Sequence, residues 1–255
     1  MNILVCLKQV CEPETAFSFQ ASPPRLRLPD AARYQMNSFD EYALEEALLL
    51  KERLAGVRLD ALSVGPVRVA AVLQRAQGMG ADRAVHVLSE QDSEALSVAT
   101  WIAAWAREQD YDLILCGAMS QDAMQGLVGP LLAELLGLPL ATLVVKLEPR
   151  PAQRMYVERE VEGGWRDCLE LPFPALLTIQ SGINRPRYPS LSNLLRAKQT
   201  RPFAIEASTL PTATSRLELV AENTPQRTRT GLRLQGSTQD KARQLAAMLR
   251  ERALL

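Results

Sequence analysis

The first two-thirds of the chain alternates short apolar runs with segments of helical periodicity, and no other feature restricts the fold as much. The runs at 3–7, 59–64, 83–88, 113–116 and 142–147 read as strands buried on both faces. Between them, helices are predicted over 38–54, 67–77, 93–109 and 124–136. Gly78-Met79-Gly80 and Gly137 close the second and the fourth. The first has capping-box spacing, with Ser38 as N-cap and Glu41 three residues on. Its Tyr42, Ala43, Ala47, Leu50 and Leu54 follow a three-to-four rhythm. Ser93 is the candidate cap of the third. Strands that alternate with helices require right-handed crossovers, so the expected class is α/β with a mainly parallel, doubly wound sheet.

The rhythm changes near Met155. MYVEREVEGGWRDCLEL reads as two strands joined at Gly163-Gly164, an antiparallel hairpin added to the sheet, and it leads into the strand ALLTI at 175–179. Residues 17–28, FSFQASPPRLRL, suggest a hairpin or an irregular loop. An α/β core over 1–184 is expected, followed by a region of different character over 185–255. Residues 199–217 are poor in periodic apolar positions and read as an extended arm that wraps its own core or a partner. Residues 217–234 hold strand-like pieces around Thr224-Pro225. An amphipathic helix closes the chain at 237–254, with Ser237 as N-cap and Leu245, Met248 and Leu249 on one face.

Composition narrows the function. Lys and Arg number 29 against 29 Asp and Glu, which lacks the basic excess of a nucleic-acid binder. No apolar run reaches the length of a membrane span. The first residues open on an apolar strand without a basic n-region, so no secretory signal is expected. Cysteines at 6, 11, 116 and 168 show neither CxxC nor zinc spacing. Cys6 and Cys116 lie in apolar runs, where the thiol acts as a small buried hydrophobe. Reduced thiols and a cytoplasmic location are expected. His86 is the single histidine, so a His-dependent triad or metal site is hard to assemble, and a structural role is expected for it.

In an open α/β sheet, ligands bind beyond the carboxyl ends of the strands. Three such ends matter: Cys6-Leu7-Lys8, Val64-Gly65-Pro66 and Cys116-Gly117. The loop 117–122 runs toward a helix whose first turn is expected to hold Gln125, Gly126, Leu127, Val128 and Gly129. Free N–H groups and a positive dipole end attract phosphate there, and Gly126 and Gly129 would admit an anion close to the backbone. The alternative is an ordinary strand–Gly–helix turn, since neither GxGxxG nor GxxxxGK[ST] occurs. A second candidate is the stretch 176–198, LLTIQSGINRPRYPSLSNLLRAK. It leaves a buried strand, is stiffened by Pro186 and Pro189, and carries Leu191, Leu194 and Leu195 among Arg185, Arg187, Arg196 and Lys198. It is either a docking knob in a basic ring or a basic turn whose helix packs down.

NRPRYPSL, followed by an N-x-x-x-A-K stretch, resembles the partner-recognition loop of electron transfer flavoprotein (ETF) beta subunits. ILVCLKQV at the start, NSFDEYALEEALLLKE at 37–52, MGADRAVHV at 79–87 and TPQRTRTGLRL at 224–234 resemble the same family, in order. The resemblance implies a Rossmann-like, adenine-nucleotide-hydrolase-like core. It implies an electron-carrier subunit rather than an enzyme, paired as a heterodimer with an alpha subunit that holds the redox FAD. Electrons would come from a flavin dehydrogenase, of acyl-CoA or amine type, and pass toward ETF-quinone oxidoreductase or a related acceptor. Carried over, Cys6 meets the adenine of a structural AMP, Asn37 and Val64 line the nucleoside, and Gly117, Asp122, Gly126, Leu127, Val128 and Gly129 surround ribose and phosphate. Leu191 would anchor the dehydrogenase, with Arg187 and Tyr188 positioning the loop.

The chain departs from the family pattern in this loop. Many members have Q-A-I-D-x-D where this chain has Met119-Ser120-Gln121-Asp122-Ala123-Met124, so the second acid is lost. Many carry N-Q-T where it has Gly126-Leu127-Val128, so phosphate would rely on backbone N–H groups. The S-x-D loop and Gln180–Tyr188 are similar to a subset serving amine dehydrogenases, while Val128-Gly129-Pro130 is similar to the branch that binds a second FAD. AMP is the expected ligand, with a second FAD, as in a bifurcating ETF, or an empty site as alternatives. The competing class is an adenine-nucleotide-dependent enzyme using Lys8, Asp40 and Asp122, against which stand the missing phosphate motif and the absence of a nucleophile–base pair.

Overall fold

The computed structural model describes residues 1–21, 24–90, 94–217, 220, 222 and 231–254. Contacts divide the chain into two units, one of Met1–Ser18 with Arg27–Leu219 and one of Phe19–Leu26 with Val220–Leu255.

The first unit opens with β1 (Asn2–Leu7) and the short β2 (Gln9–Cys11). The strands β3 (Ser18–Ala21) and β4 (Pro24–Arg27), which fall mainly in the second unit, pair with each other, as the hairpin reading of 17–28 expects. β5 (Tyr34–Met36) returns antiparallel along β2 and delivers the chain to α1 (Ser38–Arg53). The alternation then runs β6 (Arg58–Gly65), a 3-10 turn at Val67–Val69, α2 (Ala70–Met79), β7 (Arg83–Leu88), α3 (Ala95–Arg107), β8 (Leu113–Gly117) and α4 (Val128–Leu136). β9 (Leu140–Arg150), β10 (Arg154–Val161), β11 (Trp165–Pro172) and β12 (Ala175–Ile179) follow, then α5 (Leu191–Gln199) and β13 (Phe203–Glu206).

Nine of these strands form one sheet ordered β11-β10-β9-β12-β8-β1-β6-β7-β13. From β9 to β13 every neighbour is parallel, and β10 alone runs against the rest, pairing antiparallel with both β9 and β11. The side-chain period of two sorts β1 between two cores. Ile3, Val5 and Leu7 pack with α1 and α2 on one face, while Leu4 and Cys6 pack with α3 and α4 on the other. Both faces are therefore covered, as a doubly wound sheet demands. The strand order reverses at β1, which has β6 on one side and β8 on the other. The crevice over the ends of β1 and β8 is thus the switch point at which such sheets bind ligands.

Several local readings need correction. Ser38 is the first residue of α1, and its N-cap is Asn37, whose side chain caps nothing. α4 begins at Val128, not at 124, because Met124 (φ 51°) and Gly126 (φ 62°) take left-handed conformations that break the helix. The arm at 199–217 contains β13, which extends the sheet by pairing parallel to β7. Ser93 and most of 217–234 lie outside the described residues. In the second unit, α6 (Thr238–Glu251) has the expected Ser237 cap, completed into a capping box by Asp240. None of the described helices is long and apolar enough to cross a membrane. His86 is buried, with Nε2 2.9 Å from the Gly65 carbonyl oxygen, which satisfies it structurally.

Candidate functional site

The site over β1 and β8 is assembled by the start of α1. Asp40 is buried beneath the two strand ends, where its Oδ2 accepts the Lys8 amide at 2.6 Å and its Oδ1 the Gly117 amide at 3.0 Å. Burial lifts its carboxyl to about 7, against the pull of those amides and of Asn37. The side chain of Asn37, also buried, makes no cap bond to the backbone of its own helix. Its side-chain amide donates to the Met119 carbonyl at 2.9 Å, and its carbonyl accepts the Gln121 amide at 3.0 Å. Gln121 Oε1 in turn accepts the Ser38 amide at 3.1 Å. The 119–121 loop is therefore fixed from below by α1 rather than by its own turn.

Gly117 is required by this arrangement. A Cβ there would lie 2.3 Å from Asp40 Oδ1 and 2.7 Å from the Phe39 backbone carbon. Lys8 then reaches over the end of β1, with Nζ 2.7 Å from Asp122 Oδ1 and 3.2 Å from Ser120 Oγ. Burial alone would raise the Asp122 carboxyl, but Lys8 and Ser120 hold it below its usual range. The rest of the loop turns through Met124 and Gly126 into α4. There the Val128 and Gly129 amides have no intrahelical acceptor, Pro130 has no N–H, and Leu131 N donates back to the Leu127 carbonyl.

The structure brings Cys6, Asn37, Gly117, Asp122 and the 126–129 segment to neighbouring strand and helix ends, with Val64 at the end of β6 beside β1. The two glycines of 126–129 act differently. Gly126 makes the left-handed turn, whereas Gly129 lets α4 settle on the sheet, since a Cβ there would lie 2.5 Å from Thr178 Cγ2. Cys6 and Cys116 are register partners on β1 and β8, and both are buried and free. The Cys6 neighbour and burial together push the Cys116 thiol well above its usual range, so it stays protonated and unreactive. Among the described residues no His/Cys/Asp/Glu group is placed to hold a metal ion.

Sequence reasoning named Asp40 and Asn37 but missed their structural part: the Asp40 carboxyl that bridges the Lys8 and Gly117 amides, the Asn37 clamp on residues 119 and 121, and Gln121. The signal available was Asp40 itself, an acid on the face of α1 that points into the core.

The second candidate is the loop after β12. Tyr188 is 88% and Leu191 73% exposed, and Leu195 is also exposed. Leu194, against Gly78 of α2, and Ala197, which is buried, pack the other side of α5 down. Arg187 also points inward, with Nη2 2.8 Å from Glu45 Oε1 and Nη1 on Glu52.

Comparison with known proteins follows this geometry. A family model described as electron transfer flavoprotein domain matches residues 26–213. An electron transfer flavoprotein subunit beta of Bacillus subtilis (strain 168) is 33% identical over 260 residues, 99% of either chain. The human protein of that name is 33% identical over 237 residues, 89% of this chain and 91% of its own. That of Methylophilus methylotrophus is 34% identical over 207 residues, covering 80% and 78%.

Proposed function

Since this chain belongs to the electron transfer flavoprotein family as a beta subunit, we propose that it is the non-catalytic half of a heterodimeric carrier, holding a structural AMP and docking the electron donor. Functionally it divides into the nucleotide core of 1–184 and the docking loop and arm of 185–255. The observation that carries the nucleotide reading is the preorganised crevice at the switch point, where Asn37 and Asp40 hold the 117–121 loop over β1 and β8. The residues fit such a ligand. Cys6 meets the adenine, Asn37 and Val64 line the nucleoside, and Asp122 lies toward the ribose and phosphate. The free amides of Val128 and Gly129, with the dipole of α4 and the nearby Lys8 ammonium, supply the positive field a phosphate needs where side-chain donors are missing. FAD, carried by the alpha subunit, supplies the redox chemistry. This chain supplies positioning, an anchoring surface and a rigid wall.

The donor is a flavin dehydrogenase of acyl-CoA or amine type, and the acceptor is ETF-quinone oxidoreductase or a related protein. Leu191 and Tyr188 make the contact, in an association that is weak and fast because a carrier must release its partners. The four free thiols fit a reducing compartment such as the cytoplasm.

The test is to denature the complex purified from its source and identify the nucleotides released. One FAD and one AMP are expected. Two FADs would assign the chain to the bifurcating branch, and FAD without AMP would remove the structural nucleotide. Leu191→Ala is expected to slow flavin reduction by the dehydrogenase about tenfold. Its thermal unfolding midpoint should match the wild type, because an exposed side chain is removed. Equal reduction rates would reject the docking role.

A further inference from the structure

We infer that Glu45 is a positioning residue for partner docking, its buried carboxylate fixing the base of the loop from which Tyr188 and Leu191 project. The inference rests on the docking reading proposed above.

Glu45 lies on the buried face of α1, and its carboxylate is engaged by Arg187 from both backbone and side chain. The Arg187 amide donates to Oε2 at 3.0 Å, Nε lies 3.0 and 3.1 Å from the two oxygens, and Nη2 donates to Oε1 at 2.8 Å. Nη1 is taken by Glu52, seven residues along the same helix. Side-chain and main-chain capture by one carboxylate fixes both the position and the direction of the chain at residue 187. Three residues earlier, the Asn184 side-chain amide donates to the Tyr42 carbonyl at 3.0 Å and to Glu46 at 2.9 Å. Everything that holds residues 184–187 in this way belongs to α1.

Beyond Tyr188 the grip passes to α2. A Cβ on Gly78 would lie 3.1 Å from Leu194 Cδ2 and 3.4 Å from Pro189 Cβ, so the glycine is what lets α5 sit close. Arg75, paired with Glu41 at 2.7 Å, stands 5.9 Å from the centre of the Tyr188 ring. Tyr188 and Leu191 therefore leave the surface between two fixed points. A docking side chain held on a rigid base loses less freedom on binding than one on a loose loop. The basic ring around the leucines thus has two kinds of member. Arg187 faces the protein's own acids, and its charge is neutralised by them.

The test uses the complex purified with its partner subunit, and the flavin dehydrogenase fractionated from the source cells by its ability to reduce the wild-type complex. Glu45→Gln keeps the shape but puts an amide N–H against the guanidinium. It is expected to raise KM for the dehydrogenase about tenfold, with the effect falling on KM rather than kcat. In a Leu191→Ala background the same change should add less than about twofold, because the anchor it positions is gone and only Tyr188 remains. Hydrogen exchange of amides 185–191 should accelerate in Glu45→Gln. Arg187→Lys, which keeps the charge and loses the fork, should show a milder form of all three effects and serves if Glu45→Gln fails to fold. Additive effects of Glu45→Gln and Leu191→Ala, or an unchanged KM in Glu45→Gln beside a raised KM in Leu191→Ala, would overturn the role of Glu45 alone. An unchanged KM in Leu191→Ala would overturn the docking reading and the proposal with it.

Discussion

Gly117→Ala is expected to strip the protein of its proposed nucleotide and to destabilise it by about 3 kcal/mol or more. The added Cβ would stand 2.3 Å from Asp40 Oδ1 and 2.7 Å from backbone at Phe39, distances that no rotamer change relieves because one neighbour is main chain. Moving Asp40 aside would leave the amides of Lys8 and Gly117 unpaired in the interior. Overpacking typically costs about 1–3 kcal/mol, and each orphaned buried amide about as much again, though such neighbouring effects do not simply add. Gly137→Ala is the control. That glycine has a left-handed φ of 67° at the end of α4, with nothing within 4 Å of a Cβ, so only the conformational cost of about 1 kcal/mol applies. Urea unfolding of the two variants, with nucleotide content measured on each, separates crowding from backbone strain. If Gly117→Ala unfolds at the same urea concentration as Gly137→Ala and keeps its nucleotide, the crevice is not as tightly built as described.

The contrast between these glycines also shows what a sequence can display. Gly137 announces a helix end, Gly163-Gly164 a hairpin, and Ser237 with Asp240 a capping box, because each signal and its consequence lie within a few residues. The buried strands β1, β6, β7, β8 and β12 are legible as apolar runs for the same reason. β13 is not, since FAIE is mostly exposed and becomes a strand by pairing with the open edge of β7 more than a hundred residues away. The start of α4 is obscured by apolar Met124 and Leu127, which extend the helical rhythm through a segment whose backbone turns left-handed at Met124 and Gly126.

The same distinction divides the candidate site. The switch point and its loop follow from strand order, so their position could be anticipated. What holds the loop could not, because Ser38 reads as the helix cap and nothing local to Asn37 points to a distant loop. Asn37 instead clamps residues more than eighty positions on. Arg187 read as part of a basic docking ring, and only the fold reveals that acids 135 and 142 residues upstream claim it.

Asp40→Asn is expected to reverse the order of stability between variant and wild type as pH rises. Burial raises the Asp40 carboxyl from 3.8 to about 7 in the folded protein. A raised carboxyl means that the folded state holds a proton the unfolded state has released. Wild-type stability therefore falls with pH between roughly 4 and 7, by at most about 1.4 kcal/mol per pH unit from this group, on the order of 4 kcal/mol in all. Above 7 the contribution is constant. Half-buried Glu41 and buried Glu46, also raised by desolvation, add slopes of the same sign, while Asp122 opposes them, so the informative quantity is the difference between variant and wild type. Asparagine carries no charge to bury, but its NH2 must face either the Lys8 or the Gly117 amide, at a pH-independent cost of about 1–3 kcal/mol. The variant should thus be less stable near pH 4 and at least as stable near pH 8, read by urea unfolding at unit pH intervals. Parallel curves would mean that Asp40 is not the buried acid its surroundings imply. The nucleotide should be lost across the whole range, because one of the two strand ends is released. A carboxylate that the fold would be no less stable without at neutral pH, yet that sets the spacing of Lys8 and Gly117, is explained by the proposed ligand site above it rather than by the core around it.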